Sequence, residues 1–414
     1  MFQSVRRASY TLPALSENDR TAVLLDLAAA TETHIPQLLA ANADDLSRMQ
    51  EDNPLYDRLQ LTERRIRDIA ASIRNVARLD NPLGSVFGSK TLPNGLYLRK
   101  QRVPYGVVGV VYEARPNVTF DVFSLCFKTG NACVLKGGKD ADSSNRAIVE
   151  LIKTTLRARN IDENAVCLLP ATHEATQRML TAVGEIDLCI PRGGRRLIDF
   201  VRQTARIPVI ETGAGVVHAY FDEFGDTAMG ARIIDNAKTR RVSVCNALDC
   251  LIIHRDRIGA LPRLLAPLAD KRVHIYADRS AYSLLRANDY GAELTEVTPE
   301  KEHEVFGTEF MSYAMAVRVV DSLDDAILHI RRYGSGHSET IITGSEANAR
   351  RFQQQVDATC VYWNAPTSFT DGGEFGLGAE IGISTQKLGP RGPMGLEALT
   401  TYKWLIDGDG QVRE

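Results

Sequence analysis

Cysteine is the residue of this sequence with the most varied chemistry, because a thiolate is both a nucleophile and a metal ligand. Among the seven cysteines, Cys245 lies in a Ser-Val-Cys-Asn-Ala segment after a helical run and the cations Lys238, Arg240 and Arg241. Positive charge and a helix terminus lower the pKa of a thiol, so the pattern predicts a nucleophile, with an inert buried thiol as the alternative. Cys250 lies in an apolar run and is predicted to belong to the core. Five further cysteines are predicted to be small buried hydrophobes: Cys126, Cys133, Cys167, Cys189 and Cys360.

Neither the cysteines nor the histidines have the spacing of a metal site or a disulfide framework. The cysteine count is odd, and no Cys-x-x-Cys pair occurs. His329 and His337 flank a Tyr-Gly-Ser-Gly segment that is typical of a helix end and a loop rather than of a ligand pair. We therefore expect no metal and reduced thiols.

Two polar residues follow apolar runs that we predict to be buried strands. Glu211 opens a Glu-Thr-Gly-Ala-Gly segment after the run 207–210, where it could act as a general base or cap the glycine turn. Asn117 lies in an Arg-Pro-Asn segment, where its amide could stabilise an oxyanion or form an ordinary turn. The residue types alone leave both alternatives open.

The standard nucleotide-binding fingerprints are incomplete in this chain. The glycines at 213 and 215 lack the third glycine of G-x-G-x-x-G, and no G-x-x-x-x-G-K-[ST] occurs. The segment 190–194 has the pattern of a strand followed by a turn at Gly193 and Gly194 and then a helix. Such a turn can place backbone N–H groups beside a phosphate, or it can be a plain strand-to-helix connection.

The elements that must position these residues form two successive α/β blocks. Helical periodicity predicts helices over 21–30 and 62–79 within a helical region 16–85, followed by an exposed strand at 96–103. Short β-branched runs alternating with helical stretches predict a mostly parallel sheet from residue 107 and a second from about 247. The Gly- and Pro-rich segment 364–395 is predicted to be a functional loop. The predicted strands are 107–112, 132–136, 166–169, 187–190, 208–210, 251–254, 273–276, 314–320, 340–343 and 360–364.

The composition excludes several classes of protein. The 49 Lys and Arg nearly balance 52 Asp and Glu, with a net charge of -3 and no basic block, which argues against a nucleic-acid partner. No apolar run approaches the ~18–20 residues of a membrane span. Arg6 and Arg7 precede no hydrophobic segment of a secretory signal. The 414 residues, 44% hydrophobic and 24% charged, indicate a cytoplasmic globular protein of two or three domains.

Several motifs together resemble the γ-glutamyl phosphate reductase family of the aldehyde dehydrogenase superfamily. A family-specific pattern runs from Val320 through His329 and Tyr333-Gly-Ser to His337-Ser-Glu and Ile341. The resemblance covers essentially the whole chain. Four further stretches carry it: VPYGVVGVVYEARPNVT (103–119), IETGAG (210–215), NAKTRRVSVCNA (236–247) and TDGGEFGLGAEIGISTQK (370–387).

The resemblance implies roles for individual residues. It implies that Cys245 is the nucleophile. It also implies that Asn117 and the Cys245 backbone N–H form the oxyanion hole. Glu211 occupies the position of the general base that activates water in hydrolytic relatives. Anion contacts to the substrate are assigned to Arg115, Arg240 and Arg241. The resemblance implies that the cofactor is NADPH and that it is bound by Lys136, Gly193, Gly194 and Glu309.

The resemblance also implies the fold, the reaction and the partners. The fold is aldehyde dehydrogenase-like α/β, with two Rossmann-like domains and a small β segment for oligomerisation. Residues 1–225 are expected to form the cofactor-binding domain, which includes an exposed strand at about 95–104. Residues 226–385 are expected to form the catalytic cysteine domain, and residues 386–414 a C-terminal return and oligomerisation segment. The reaction is reduction of L-glutamyl 5-phosphate to L-glutamate 5-semialdehyde in proline biosynthesis, through a Cys245 thioester. We expect a homo-oligomer that contacts glutamate 5-kinase transiently.

Two alternatives stay open at this point. One is a reductase or dehydrogenase for another acyl phosphate or semialdehyde. The other is a non-catalytic scaffold that keeps the fold alone.

Overall fold

The computed structural model describes residues 1–51, 53, 56–113 and 115–413, apart from the side chain of Arg195. These residues form two compact units, the first of Met1–Thr212, Gly376–Gly382 and Met394–Glu414, the second of Gly213–Phe375 and Ile383–Pro393. The helices of the described part are α1 (Phe2–Thr11), α2 (Glu17–Thr33), α3 (Ile35–Leu46), α4 (Tyr56–Leu59), α5 (Glu63–Arg78), α6 (Pro116–Lys128), α7 (Asp142–Ala158), α8 (His173–Leu180), α9 (Arg195–Thr204), α10 (Thr227–Thr239), α11 (Leu261–Asp270), α12 (Arg279–Ala287), α13 (Glu302–Phe306), α14 (Leu323–Tyr333) and α15 (Glu346–Gln355).

Four sheets are present in the described part of the chain. Their strands are β1 (Val86–Thr91), β2 (Tyr97–Pro104), β3 (Val107–Tyr112), β4 (Ala132–Lys136), β5 (Val166–Leu168), β6 (Leu188–Arg192), β7 (His218–Phe221), β8 (Cys250–His254), β9 (His274–Ala277), β10 (Leu294–Glu296), β11 (Ala314–Val320), β12 (Ser338–Ile342), β13 (Cys360–Trp363), β14 (Ile383–Ser384), β15 (Gly392–Pro393) and β16 (Thr400–Asp407).

The first unit is organised around a four-stranded parallel sheet in the order β5-β4-β3-β6. Every residue of β3 is buried, which explains why its sequence is a continuous run of apolar residues rather than an alternating one. The chain moves outward from β3 to β4 and β5 on one side, then crosses to place β6 on the other. The strand order therefore reverses between β3 and β6, and such a switch point is where open α/β sheets bind ligands.

The helical region before this sheet has the periodicity that its sequence predicts. In α5 the buried side chains Ile66, Ile69, Ala70 and Ile73 recur at three- and four-residue spacing, so one face of the helix enters the core. The helix α2 begins at a capping box in which Ser16 and Asp19 exchange side-chain and backbone hydrogen bonds. Both predicted helices are confirmed.

A small antiparallel sheet, β1-β2-β16, also belongs to the first unit. The strand predicted at 96–103 is confirmed as β2, which pairs along its whole length with β16 of the same chain, although within β2 only Tyr97 is exposed and the other residues are half-buried. The outer residues of this sheet include large exposed side chains, among them Phe87, Tyr402 and Trp404.

The second unit contains a seven-stranded parallel sheet in the order β10-β9-β11-β8-β7-β12-β13. Its apolar strands are covered by helices, and the buried residues of α10, α11 and α14 pack against the sheet. The sequence prediction of two α/β blocks with parallel sheets is therefore confirmed. Among the helices that the structure describes, none combines the length and apolar character that membrane crossing requires.

The boundaries of the units differ from the predicted domains in three places, one of which is Gly376–Gly382, a part of the predicted domain 226–385 that belongs to the first unit. The first unit ends at Thr212 rather than at residue 225, because β7 pairs with β8 and β12 of the second sheet. The predicted C-terminal segment 386–414 is shared, since β15 belongs to the second unit and β16 to the first. The predicted strand 208–210 is reduced to a single bridge between Val209 and Cys189.

Candidate functional site

Cys245 lies in the turn that leads from α10 into β8, at the amino edge of the sheet in the second unit. Among the seven cysteines, all of which the structure describes, it is the one that is not buried. Burial raises the pKa of the Cys126 and Cys189 thiols to about 12, and it raises the pKa of Cys133 and Cys250 well above the ordinary range. Partial exposure therefore distinguishes Cys245 from these buried thiols.

The helix terminus that was expected to lower the pKa of Cys245 is a carboxyl end, whereas only an amino end would stabilise a thiolate. The segment follows the carboxyl end of α10, which ends at Thr239, and a helix carries partial negative charge at that end. The dipole of α10 therefore gives no stabilisation to a thiolate. Stabilisation must come from cationic side chains or backbone N–H groups instead.

The segment that precedes β7 packs directly against the backbone of Cys245. A Cβ atom added to Gly215 would lie 1.8 Å from the carbonyl oxygen of Cys245, so only glycine fits at this position. The Gly215 N–H donates a hydrogen bond of 3.0 Å to Oε1 of Glu309. Gly215 thus connects the predicted nucleophile to one of the predicted cofactor-binding residues.

The other side of the nucleophile turn is anchored by Asn246. Its buried Nδ2 donates to the carbonyl oxygens of Ser368 and Thr370, at 3.3 and 2.9 Å. The Thr367 hydroxyl donates back to the Asn246 carbonyl at 2.9 Å, and the Ser368 hydroxyl donates to Asn236 at 2.6 Å. The Gly- and Pro-rich segment, predicted to be functional, therefore begins by fixing the nucleophile turn.

The three cations beside Cys245 differ sharply in environment. Arg240 and Arg241 are exposed, and no carboxylate in the described residues forms an ion pair with either. Lys238 is fully buried, and burial lowers its pKa, while the opposite charge of Asp249 acts in the other direction. Only the two arginines are accessible to an anion from solvent.

The carboxyl edge of the sheet in the first unit collects the remaining predicted cofactor-binding residues. Lys136 is the last residue of β4 and is half-buried, and burial lowers its pKa. Gly193 and Gly194 follow β6, and Gly194 is the N-cap residue of α9. A Cβ atom on Gly193 would meet Glu113 and Leu197 at 2.7 and 2.8 Å, so the turn approaches its neighbours closely.

The N-terminus of α9 already receives a carboxylate from the chain itself. Oε2 of Glu113, an exposed residue directly after β3, accepts a 3.2 Å hydrogen bond from the Gly194 N–H. A helix N-terminus favours anions through its unpaired N–H groups and its dipole. The switch point between β3 and β6 is therefore an anion-binding position.

Asn117 and Glu211 are both held by side chains of the first unit. Asn117 is the second residue of α6, whose N-cap position is occupied by Arg115 without a capping side-chain hydrogen bond, and Nδ2 of Asn117 donates to Asp121 at 3.1 Å. Burial raises the pKa of Asp121 to about 6, although the hydrogen bond from Asn117 acts to lower it. Glu211 accepts two hydrogen bonds from Arg202, at 2.9 and 2.5 Å. This bidentate pair favours the structural alternative over a free general base.

The family follows from comparison with known proteins, although no protein-family model matches the chain. Gamma-glutamyl phosphate reductases of Bacteroides fragilis and Bacteroides thetaiotaomicron are each 56% identical over 413 residues, covering 100% of this chain and 99% and 98% of the relatives. The crystal structure of gamma-glutamyl phosphate reductase from Thermotoga maritima has a TM-score of 0.94 and 36% identity, covering 100% of this chain and 99% of that one. The chain belongs to the gamma-glutamyl phosphate reductase family.

Membership of the gamma-glutamyl phosphate reductase family makes the chain an enzyme, specifically an oxidoreductase. A propionaldehyde dehydrogenase from Clostridium phytofermentans is only 17% identical but has a TM-score of 0.68, covering 98% of this chain and 96% of that one. This likeness confirms the aldehyde dehydrogenase-like fold.

Within each unit, the structure of this family member brings some of the predicted residues together. Cys245 and Glu309 meet through Gly215, and Lys136, Gly193 and Gly194 share one sheet edge. Their catalytic and binding roles stay predictions.

Sequence reasoning missed the supports of these residues. Asn246 and Glu113 are each adjacent or close in sequence to a predicted residue, but their partners lie 124 and 81 residues away along the chain. The spacing of Asn117 and Asp121, four residues apart near a helix start, was the one local signal that could have been used.

Proposed function

We propose that the chain reduces L-glutamyl 5-phosphate to L-glutamate 5-semialdehyde with NADPH and releases phosphate, as a step of proline biosynthesis. The family supports the substrate, because its curated members are named for that reaction. The observation that carries a covalent mechanism is Cys245, the accessible thiol among otherwise buried ones, on a turn held by Gly215 and Asn246.

The proposed chemistry starts with attack of the Cys245 thiolate on the acyl carbon of the substrate. Phosphate is the leaving group, and the product on the protein is a thioester. We assign Asn117 and the Cys245 backbone N–H to the oxyanion of the tetrahedral intermediate, where one donor contributes about 3 kcal/mol. When bound, NADPH would supply the hydride that reduces the thioester, and the carbon–sulfur bond then breaks to release the semialdehyde and return Cys245 to the thiolate.

The substrate carries a phosphate and a carboxylate, so cations must bind it. Arg240 and Arg241 suit this role, because both are exposed and neither is neutralised by a carboxylate in the described residues. Arg115 is assigned the same role on the grounds of its place at the start of α6. We propose that Glu211, which is paired with Arg202, stabilises the fold. It does not serve to activate water, because activated water would hydrolyse the thioester.

The resemblance assigns Lys136, Gly193 and Gly194 of the first unit and Glu309 of the second to the cofactor. Within the first unit, the close approach at Gly193 and the N-terminus of α9 suit the phosphates of a dinucleotide, and the half-buried cation Lys136 suits its adenosine side. Within the second unit, the Glu309 carboxylate suits a ribose hydroxyl. An engineered glycolyl-CoA reductase solved with bound NADP+ has the same fold, with a TM-score of 0.68 at 16% identity. These observations support a nicotinamide cofactor, and NADPH is our choice.

The test is the reverse assay, in which semialdehyde and phosphate reduce NADP+. Cys245→Ser should abolish activity, whereas Cys189→Ser, which changes a buried thiol of the first unit, should retain it. Substantial activity in Cys245→Ser with an intact fold would refute the covalent mechanism. Comparing NAD+ with NADP+ in this assay tests the cofactor preference. Comparing the glutamyl semialdehyde with its aspartyl analogue tests whether the enzyme acts on another semialdehyde.

A thiol-labelling experiment tests the scaffold alternative. Iodoacetamide should modify one cysteine rapidly, and mass spectrometry should place the label on Cys245 because the other thiols are buried. Slow, unselective labelling together with an inactive reverse assay would favour a scaffold.

We further propose a homo-oligomer that uses the small sheet β1-β2-β16, whose exposed aromatic residues Phe87, Tyr402 and Trp404 would be buried by a second copy. Light scattering on the wild type and on Trp404→Lys should show a loss of assembly in the variant. The same instrument, with glutamate 5-kinase added, tests the expected transient contact.

A further inference from the structure

Three side chains that can bind a metal meet behind the nucleophile turn, inside the second unit. His218 is the first residue of β7 and Cys250 is the first residue of β8, and the parallel register places them opposite each other. His329 comes from α14. One candidate ligand atom of each residue lies within 4.8 Å of the others, and Sγ of Cys250 is 3.7 Å from Nε2 of His329.

The hydrogen bonding of His218 prepares its other nitrogen to bind a cation. Nδ1 of His218 is 3.0 Å from Oε2 of Glu339, and the same oxygen accepts the His218 backbone N–H at 2.7 Å. An ionised Glu339 can only accept hydrogen bonds, so beside the carboxylate Nδ1 carries the proton and Nε2 presents a lone pair. Histidines that bind metals are held in this way by a carboxylate.

Nε2 of His218 is left without a hydrogen-bond partner among the described protein atoms, although the residue is 0% exposed. A buried polar atom without a partner is unfavourable, and such atoms are rare in folded proteins. A cation bound by the three side chains would satisfy this lone pair.

The charges of the cluster also fit a divalent ion. A metal with charge +2, a Cys250 thiolate and a Glu339 carboxylate sum to zero, which suits a site where all three protein residues are buried. Two imidazoles and a thiolate are the donors that zinc prefers, whereas calcium and magnesium require oxygen.

We propose that His218, Cys250 and His329 bind one zinc ion, with Glu339 positioning His218. Binding forms the zinc–sulfur bond and releases the thiol proton of Cys250 to solvent. Three protein ligands leave the fourth tetrahedral position to a water molecule. The ion joins the first residues of β7 and β8 to α14, so it supports the strands that follow Gly215 and the Cys245 turn.

Elemental analysis and a titration of the untagged, full-length chain test this proposal. After treatment with a chelator, one equivalent of Co²⁺ should produce the absorption of a cobalt–thiolate bond, and one equivalent of Zn²⁺ should abolish it. Zinc should also raise the thermal midpoint of the wild type, since it binds the folded state. A wild-type chain that shows neither stoichiometric binding nor this shift would overturn the proposal without reference to any variant.

Matched variants locate the ion. Cys250→Ser should lose the cobalt–thiolate absorption, and Glu339→Gln should weaken zinc binding by about 10- to 100-fold. Cys189→Ser and Cys245→Ser should retain the absorption, since neither thiol belongs to the cluster. Absorption that persists in Cys250→Ser, or that disappears in Cys245→Ser instead, would assign the metal elsewhere and refute the site.

Discussion

The contact between Gly215 and the Cys245 backbone gives a prediction about catalysis that can be worked from the structure. In Gly215→Ala the new Cβ would lie 1.8 Å from the Cys245 carbonyl oxygen, about 1.2 Å short of the 3.0 Å that real Cβ contacts require. The backbone conformation of Gly215 itself accommodates alanine, since its φ is outside the left-handed region. The whole perturbation is therefore steric, and it acts on the nucleophile turn.

A displacement of this size should slow the chemical step and destabilise the fold by comparable free energies. A misplacement of about 1 Å in a reacting group costs roughly 100-fold in rate, which corresponds to about 2.7 kcal/mol. Overpacking of a buried position costs about 1–3 kcal/mol of folding free energy. We expect kcat in the reverse assay to fall at least about 100-fold and Cys245 to react more slowly with iodoacetamide.

The matched control is Gly259→Ala, a glycine of the same unit whose added Cβ would meet nothing within 4 Å. This variant should keep wild-type activity. Urea unfolding of both variants separates loss of activity from loss of the fold. If Gly215→Ala were stable and within about threefold of wild-type kcat, the contact would not position the nucleophile and the reasoning would fail.

Three further predictions concern the supports of the site. Asn246→Ala removes two hydrogen bonds to buried carbonyl oxygens and should lower the free energy of unfolding by about 3 kcal/mol in urea titrations. Glu211→Gln should change kcat by less than about threefold and stability by at most about 1 kcal/mol, because Arg202, its partner, is 59% exposed on its side chain; a collapse of kcat would restore Glu211 as a catalytic base. The raised pKa of Asp121, about 6 against 3.8 unfolded, means that the folded state holds the proton more tightly, so stability from this group is present below pH 4 and is lost as pH rises to 6. Asp121→Asn should remove that decline, at most about 3 kcal/mol, from unfolding free energies measured between pH 4 and 7.

The strands that sequence patterns predicted best are those whose residues are mostly buried. The runs 107–112, 132–136 and 314–320 coincide with β3, β4 and β11, because they are short and mostly apolar and, in β3 and β11, rich in valine. The strand β7 was missed, since its sequence His-Ala-Tyr-Phe is short and lacks β-branched residues. Its place in the sheet depends on pairing with β8 and β12, which local sequence does not encode.

The candidate site was predictable where a residue type carries the chemistry and unpredictable where distant packing does. Cys245 was predicted from the cations that precede it in sequence, whereas the reason that Gly215 must be glycine lies 30 residues away in sequence. The cluster of His218, Cys250 and His329 was missed for the same reason, because its members come from two strands and a helix. Ligand spacing within one motif therefore gave no indication of it.

Lys238 and Asp249, two buried ionisable residues close to the Cys245 turn, show that the role of a residue depends on its position in the structure. By sequence, Lys238 belongs with Arg240 and Arg241 as a cation that activates Cys245. In the structure it is fully buried, and the one charge that acts on it strongly is Asp249. The Asp249 carboxylate in turn accepts backbone N–H groups from Val217, at 3.3 Å, and Phe310, at 2.9 Å.

These contacts place Lys238 in a supporting role. Val217 follows Gly215 by two residues, and Phe310 follows Glu309, so Asp249 holds the two segments that meet at the Gly215–Glu309 hydrogen bond. A carboxylate in that position would repel Glu309, and burial together with that repulsion raises its pKa. The charge of Lys238 acts in the opposite direction and favours the ionised carboxylate, although the pKa of Asp249 stays raised, at about 7. The positive charge available to a thiolate or to the substrate phosphate is therefore that of the exposed arginines, and neutralising Lys238 should loosen the two segments rather than remove an anion contact.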